Sequence, residues 1–283
     1  MDKKLLEKLP IKPVIDYHSV GGGDVNQAYK LTSEDHQNYF LLMHQSDTKD
    51  FYKEEIAGLY LLGQTAETPK VLANGMWKND AYLLLSYINS QSFGDQYALG
   101  RVVAKIHKRT SVNGKFGFNA DDPEGKSDQG GVWYPDWASF FINEKLEYRK
   151  QIIIKRGLWT GEMDAMYQRA LTRFKELMTT HDSKPSLLHG DFWSGNFMFD
   201  SKGNPVIIDP ATFYGDREFD IGVTQVFAGF EPEFYQGYQD EYPFDKGYED
   251  RLPFYQLYYL MLHLGKFGMT YQGSVMQLLR MVS

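Results

Sequence analysis

The sequence predicts an α+β fold in two lobes: a small antiparallel sheet with one helix over residues 1–87, and a larger, mainly helical lobe over 88–283. Three observations predict it. Short extended runs crowd the first third of the chain and enclose a single helical period. A polar stretch, Asn89-Ser90-Gln91-Ser92, then reads as an exposed connection. Beyond it, long helical periods dominate.

Taken in order, Val20 to Leu31 joins two extended runs through Gly21-Gly22-Gly23, the pattern of a hairpin whose turn needs positive φ or close backbone approach. Tyr39-Phe40-Leu41-Leu42-Met43 reads as a buried strand. Between Phe51 and Gly63, apolar residues at 52, 56, 59 and 60 keep helical spacing. Strands follow near Val71-Leu72-Ala73 and Ala81-Tyr82-Leu83-Leu84-Leu85. The order is strand, strand, strand, helix, strand, strand. The second lobe carries helical patterns over 97–108, 137–156 and 161–180, with a Gly/Asp-rich irregular stretch over 114–131.

Composition narrows the function. Thirty Lys and Arg against 37 Asp and Glu give a net charge of −7, and no basic stripe is present, which argues against a nucleic-acid partner. A hydrophobic fraction of 42% excludes wholesale disorder. No cysteine is present, so disulfides, thiolate nucleophiles and Cys-ligated zinc are excluded and any dimer is noncovalent or metal-mediated. Glu7, Lys8 and Pro10 interrupt the N-terminal apolar residues, and no apolar run is long enough to span a bilayer. The expectation is a cytoplasmic protein without a membrane partner.

The chemistry concentrates in Ser186-Leu187-Leu188-His189-Gly190-Asp191-Phe192-Trp193-Ser194-Gly195-Asn196, followed by a turn at Lys202-Gly203-Asn204 and the strand Pro205-Val206-Ile207-Ile208-Asp209. Asp191 and Asn196 lie five residues apart on a loop, and Asp209 ends the second strand of a hairpin. Each alone reads as a turn or cap residue. Together, in this order and between apolar strands, they supply what phosphoryl transfer from ATP requires. That is a carboxylate to orient and deprotonate the attacking hydroxyl, and an amide plus a second carboxylate to hold Mg2+ against the phosphates. The Asp191 to Asn196 spacing equals that of the protein-kinase catalytic loop, with His189 where that loop carries its His. Asp191 is therefore the expected base, and Asn196 and Asp209 the expected metal ligands.

The run from His189 to Asn196, with Asp209-Pro210-Ala211-Thr212-Phe213-Tyr214-Gly215-Asp216-Arg217-Glu218, resembles the fructosamine kinase (ketosamine kinase) family. This family belongs to the protein-kinase-like small-molecule kinases, with the aminoglycoside and choline kinases. Trp193 inside the loop and the run 214–218 are the specific features. The resemblance covers almost the whole chain, including Gly21-Gly22-Gly23, Glu55, Phe116-Gly117-Phe118, Trp133 and 255–263. It implies a bilobal kinase-like fold and ATP-dependent phosphorylation of a ketoamine sugar adduct, a fructosamine or ribulosamine, at its third-carbon hydroxyl. It also implies protein or amine deglycation.

Two departures stand out. The family's third strand carries a lysine that pairs with the helix glutamate, here Glu55, and reaches the ATP phosphates; this position holds Leu42. Lys49 and Lys53 are near enough in sequence to supply a charge from another direction. Gly131 replaces the family's asparagine before Trp133.

Gly21, Gly22 and Gly23 are expected to cover the nucleotide phosphates with backbone N–H groups. Trp193 and Asp216 are expected at the substrate, whereas Arg217 braces carboxylates and most of the aromatic residues of 227–271 form core. His107 and His263 read as hydrogen-bonded core residues, with no permanent protein-held metal. The alternatives are a kinase for another hydroxyl compound, aminoglycoside- or choline-like, and a weakened nucleotide-binding protein.

Overall fold

The computed structural model describes residues 2–21, 27–46, 48–127 and 130–283. A short helix α1 (Lys3–Leu6) precedes strands β1 (Val14–Val20), β2 (Gln27–Ser33) and β3 (Asn38–Gln45). A 3-10 turn, Lys49–Tyr52, leads into α2 (Lys53–Leu62), and β4 (Val71–Trp77) and β5 (Asp80–Ser86) complete an antiparallel sheet of order β1-β2-β3-β5-β4. The register sets Leu42 opposite Ala28 on one side and Leu83 on the other.

Alternation along these strands gives the sheet two apolar faces. One, with Ala28, Leu42, Leu83 and Leu85, packs on Tyr52 and Leu59 of the helical segment. The other, with Leu31, Leu41 and Leu84, is covered by Leu5 and Leu9. The single expected helix is thus joined by a second, short one on the opposite face. Four residues are too few for the amphipathic period to stand out.

The rest of the chain is mainly helical. Strand β6 (Ser90–Gln91) is followed by α3 (Gln96–His107), β7 (Phe116–Phe118) and β8 (Val132–Tyr134). Then α4 (Trp137–Phe140), a π-helical stretch (Phe141–Leu146) and α5 (Glu147–Lys155) form the region read as one helix. After α6 (Gly161–Met178) come the strands β9 (Ser186–Leu188), β10 (Phe197–Asp200), β11 (Pro205–Ile207) and β12 (Phe213–Gly215). Helices α7 (Glu218–Thr224), α8 (Pro232–Glu241), α9 (Tyr248–Phe267) and α10 (Gln272–Val282) close the chain.

Two small sheets position the loops that matter. One has the order β11-β10-β6, so the expected hairpin forms, with Phe197 opposite Ile207. The other, β8-β7-β12-β9, ties the segment after Asp209 to the strand before His189. Its strands β7 and β8, within and just after the stretch 114–131, have three residues each, too short to be read by periodicity. Aromatic side chains fill the helical core, Trp137, Phe141, Phe219 and Tyr255 packing ring against ring. The five-stranded sheet is tied to this body by the Ile207 amide, which donates to the Glu67 carbonyl at 2.9 Å, and by Arg109, which donates to the Leu61 carbonyl.

Candidate active site

The loop from His189 to Asn196 is held from below by a buried carboxylate. Asp220, fully buried on α7, accepts the backbone N–H of His189 at 2.7 Å and of Gly190 at 3.0 Å, and lies 3.1 Å from Nε2 of buried His107. His107 also contacts the Tyr238 hydroxyl at 2.8 Å, as a hydrogen-bonded core histidine should. Nothing in the sequence distinguishes Asp220 from an exposed helical acid, because its burial is tertiary.

Gly190 adopts φ 84°, and a Cβ there would lie 2.0 Å from the Ala211 carbonyl oxygen, so only glycine fits between the two segments. His189 Nδ1 accepts the Asp191 N–H at 3.3 Å, which leaves the Nε2 proton to be donated to the Ile208 carbonyl at 2.8 Å. The histidine thereby clamps the loop to the strand end that carries Asp209.

Asn196, buried, draws the expected residues together. Its Nδ2 donates to the Asp191 carbonyl at 2.8 Å and to Asp191 Oδ2 at 3.1 Å, and lies 3.5 Å from the Asp209 carbonyl. With the nitrogen turned to Asp191, its carbonyl oxygen remains as an acceptor for a cation. Asp209 has φ 50°, a left-handed backbone uncommon outside glycine and concentrated at functional sites.

Two cavities meet at this loop. The first, about 490 Å³, lies under the five-stranded sheet, with Val20, Ala28, Leu85, Met198 and Ile208 as apolar walls and Gly21, Glu55 and Asp209 as lining. Gly22 and Gly23 fall outside the described residues. Loss of hydration, with the nearby Asp209 charge, pushes Glu55 up to about 8. Loss of hydration also raises Asp209, His189 opposing the rise and Asp191 adding to it. Glu55 Oε1 is buried without a hydrogen-bond partner.

Leu42 lines this cavity where the family's lysine belongs, and no Lys or Arg joins it among the described lining residues. Lys53 instead pairs with Asp121 at 2.5 Å on the surface, and Lys49 is exposed on the 3-10 turn. An oxygen-only donor set, with an orphaned carboxylate oxygen and no protein cation, fits a hard divalent metal.

The second cavity, about 730 Å³, holds Asp191 together with Trp193, Arg149, Phe227, Tyr259 and His263 among its walls. Trp193 remains 38% exposed there, with its ring folded over Gly195. The Tyr259 ring and the Asp191 carboxylate line this cavity together, and His263 Nδ1 contacts the Tyr259 carbonyl at 2.9 Å. His263 therefore faces a cavity and is not the core residue expected. Tyr259, His263 and Phe267, four residues apart on α9, share one face; that spacing was the available signal.

Asp216 is corrected as well. It is 1% exposed, and its carboxylate accepts from Ser183 at 2.5 Å, His181 at 2.6 Å and the Glu218 amide at 2.9 Å. It braces the interior and has no surface to offer a substrate. Arg217 does brace its surroundings, donating to the Tyr242 carbonyl at 2.9 Å and reaching Asp245 at 3.2 Å. His181, Glu218 and Asp245 have ligand atoms within 4.8 Å of one another, but Arg251 already holds Glu218 at 2.6 and 2.7 Å.

A sheet and helical body with an acid-amide-acid cluster between two cavities defines a phosphotransferase of the protein-kinase-like class. The same fold is shared by an aminoglycoside phosphotransferase solved with AMP-PNP and hygromycin B, with TM-score 0.66 and 19% identity, covering 98% of this chain and 97% of that one. The fructosamine kinase family model matches residues 3–283, and the chain belongs to that family. A Staphylococcus aureus protein provisionally named a ketoamine kinase is 42% identical over 97% of this chain and 96% of its own. A Haemophilus somnus crystal structure, provisionally named a fructosamine-3-kinase, is 25% identical with TM-score 0.82, covering 95% of this chain and 91% of that one. The protein is thus a kinase that transfers a phosphoryl group to a sugar hydroxyl. Among the described residues no helix is long and apolar enough to cross a membrane.

Proposed function

We propose that the protein phosphorylates a ketoamine sugar adduct, a fructosamine or ribulosamine, at a sugar hydroxyl with Mg-ATP as donor, and so serves the deglycation of amines or proteins in the cytoplasm. The observation that carries this reading is the Asn196 amide, which links Asp191 in one cavity to Asp209 in the other. In this reading ATP occupies the cavity under the sheet. Val20, Ala28, Met198 and Ile208 enclose the base, and Gly21 lines the same cavity for the phosphates.

The acceptor occupies the cavity beside Trp193. Asp191, oriented by Asn196, receives a hydrogen bond from the attacking hydroxyl and takes its proton as the oxygen bonds to the γ-phosphorus and the bond from that phosphorus to the β,γ-bridging oxygen breaks, releasing ADP. Asn196 and Asp209 would hold Mg2+, which supplies charge stabilisation on the transferring phosphoryl group. The protein's further contribution is position, fixing donor and acceptor on either side of one loop.

The test is ATP consumption against a panel of fructosyl- and ribulosyl-amines, aminoglycosides and choline, with product mapping. Phosphorylation of the ketoamines at a ring or chain hydroxyl supports the reading, and transfer to another acceptor alone ends it. Leu42 in place of the strand lysine favours one second reading, a nucleotide-binding protein with weakened transfer. A thermal shift with Mg-ATP and no transfer to any acceptor would select it.

A further inference from the structure

A third cavity, about 650 Å³, lies between the start of α2, the loop after β7, the π-helical stretch and the segment that follows Asp209. Lys145, on that π-helical stretch, lines it together with Thr212, Phe213, Glu54 and Glu144. Single π-helical turns are rare and frequent at functional sites. The Lys145 ammonium sits 3.7 Å from the centre of the Phe213 ring and 5.6 Å from that of Phe140. Among the described residues it makes no hydrogen bond, and no carboxylate lies within ion-pair distance of it. Thr212, in the same wall, is 6% exposed, and its Oγ1 is buried without a hydrogen-bond partner. The cavity opens at the exposed residues Asp50, Glu54 and Asp121.

An ammonium held against aromatic rings has lost water without gaining a counterion, which favours the neutral amine. Burial is the main cause here, and the Arg149 charge on α5 adds to it. Glu54, Glu144 and Asp220 oppose the change, and the balance brings Lys145 down to about 8. A desolvated lysine beside a second cation is the setting in which an amine becomes a nucleophile toward a carbonyl carbon. Phosphoryl transfer makes no use of this amine, since Asp191 and Lys145 line different cavities.

We propose that Lys145 is a covalent binding site for a hydroxylated aldehyde, the open-chain form of a small sugar, held as an imine in the third cavity. The Nζ lone pair bonds to the aldehyde carbon, and the carbonyl electron pair passes to the oxygen, which gains one proton from the nitrogen. The resulting carbinolamine then loses this hydroxyl together with the second nitrogen proton as water, leaving the C=N bond. One amine and one aldehyde give one imine and one water, with no oxidant or reductant. The orphaned Thr212 hydroxyl, with Glu54 and Glu144, offers hydrogen-bond partners that a sugar's hydroxyls can use and a plain alkyl aldehyde cannot. Phe213, against which the amine packs, opens β12, the strand that follows Asp209, so an occupied site bears on the segment that carries Asp209.

The experiment treats the whole chain with glyceraldehyde and sodium cyanoborohydride, which reduces an imine to a stable secondary amine, and follows each lysine by peptide mass spectrometry. At about pH 7.5, Lys145 should be labelled roughly tenfold faster than the exposed Lys105, because it sheds its proton more readily. Propanal has the carbonyl without the hydroxyls, and its ratio of Lys145 to Lys105 labelling should be smaller by roughly fivefold, the range of one neutral hydrogen bond. Thr212→Val should bring the ratios for the two aldehydes together. Labelling of Lys145 no faster than of Lys105, or equal ratios for the two aldehydes in the wild-type chain, overturns the proposal. Both comparisons use the wild-type chain, so they decide even if Thr212→Val fails to fold. Neither involves ATP or a ketoamine, so the proposed phosphorylation stands or falls separately.

Discussion

The side-chain amide of Asn196 donates to the Asp191 carboxylate at 3.1 Å and to its backbone carbonyl at 2.8 Å. One nitrogen thus fixes both the position of the carboxylate and the orientation of the amide. The amide oxygen faces away from Asp191, and the Asp209 backbone stands 3.5 Å from the same nitrogen. Asp191, Asn196 and the Asp209 backbone are thus set as a unit, which makes their separate removal informative.

Asp191→Asn should lower kcat by roughly 10²–10⁴, the contribution of a positioned general base. Mg-ATP should still raise the melting temperature of the variant, because Asp191 lines the other cavity. Full turnover in the variant would remove the assignment.

Leu42→Lys should place an ammonium beside Glu55, whose Oε1 now lacks a partner. A charge-assisted bond to glutamate and phosphate should tighten Mg-ATP binding about tenfold by calorimetry. The double variant Leu42→Lys, Glu55→Gln should lose most of that gain. An unchanged dissociation constant would show that the cavity does not present Glu55 to the nucleotide.

Asp220→Ala should destabilise the fold. It strips a partner from the buried His189 N–H, the part-buried Gly190 N–H and the buried His107 ring. Buried groups without partners cost about 1–3 kcal/mol each, so the loss in denaturant titration should reach at least about 3 kcal/mol. A loss below about 1 kcal/mol would mean that the loop is held by other contacts.

His181 and Asp216 make a pH-dependent pair, Nε2 and Oδ2 being 2.6 Å apart. Burial opposes both charges, yet the mutual hydrogen bond prevails, raising His181 above its ordinary 6.5 and lowering Asp216 below its ordinary 3.8. The raised histidine stabilises fully below 6.5 and loses this as pH rises through its folded value. The lowered carboxyl stabilises above 3.8 and loses this as pH falls through its folded value. The pair's contribution is therefore complete between these limits. His181→Gln should cost about 1.5–3 kcal/mol at pH 6, and the gap to wild type should narrow at pH 9. A gap independent of pH would mean that the pair is not ionised.

The loop from His189 to Asn196 was legible because its information is local. Five residues separate Asp191 from Asn196 on one loop, and a short apolar hairpin returns the chain to Asp209. The same reasoning misassigned Asp216, since the run Asp216-Arg217-Glu218 looks hydrophilic while packing buries all three residues. It also assigned most of the aromatic residues of 227–271 to core. That holds for Tyr255, Tyr258 and Tyr259, which are buried, although Tyr259 also lines the cavity beside Asp191, together with His263. A stripe of one residue type does not say which neighbour each ring will meet.

The sequence by itself determined the strand and helix order of the first third of the chain, the loop that brings Asp191 near Asn196, and Leu42 at the position where the family resemblance implies a lysine. All are matters of spacing within a few residues. Only the tertiary structure decided that Asp220 carries the loop, that Glu55 stands without a cation among the described residues, and that Arg149, Trp193, Tyr259 and His263 share one cavity. Those relations join segments scores of residues apart, and burial, which sets the strength of each charge and hydrogen bond, exists only once these segments have packed.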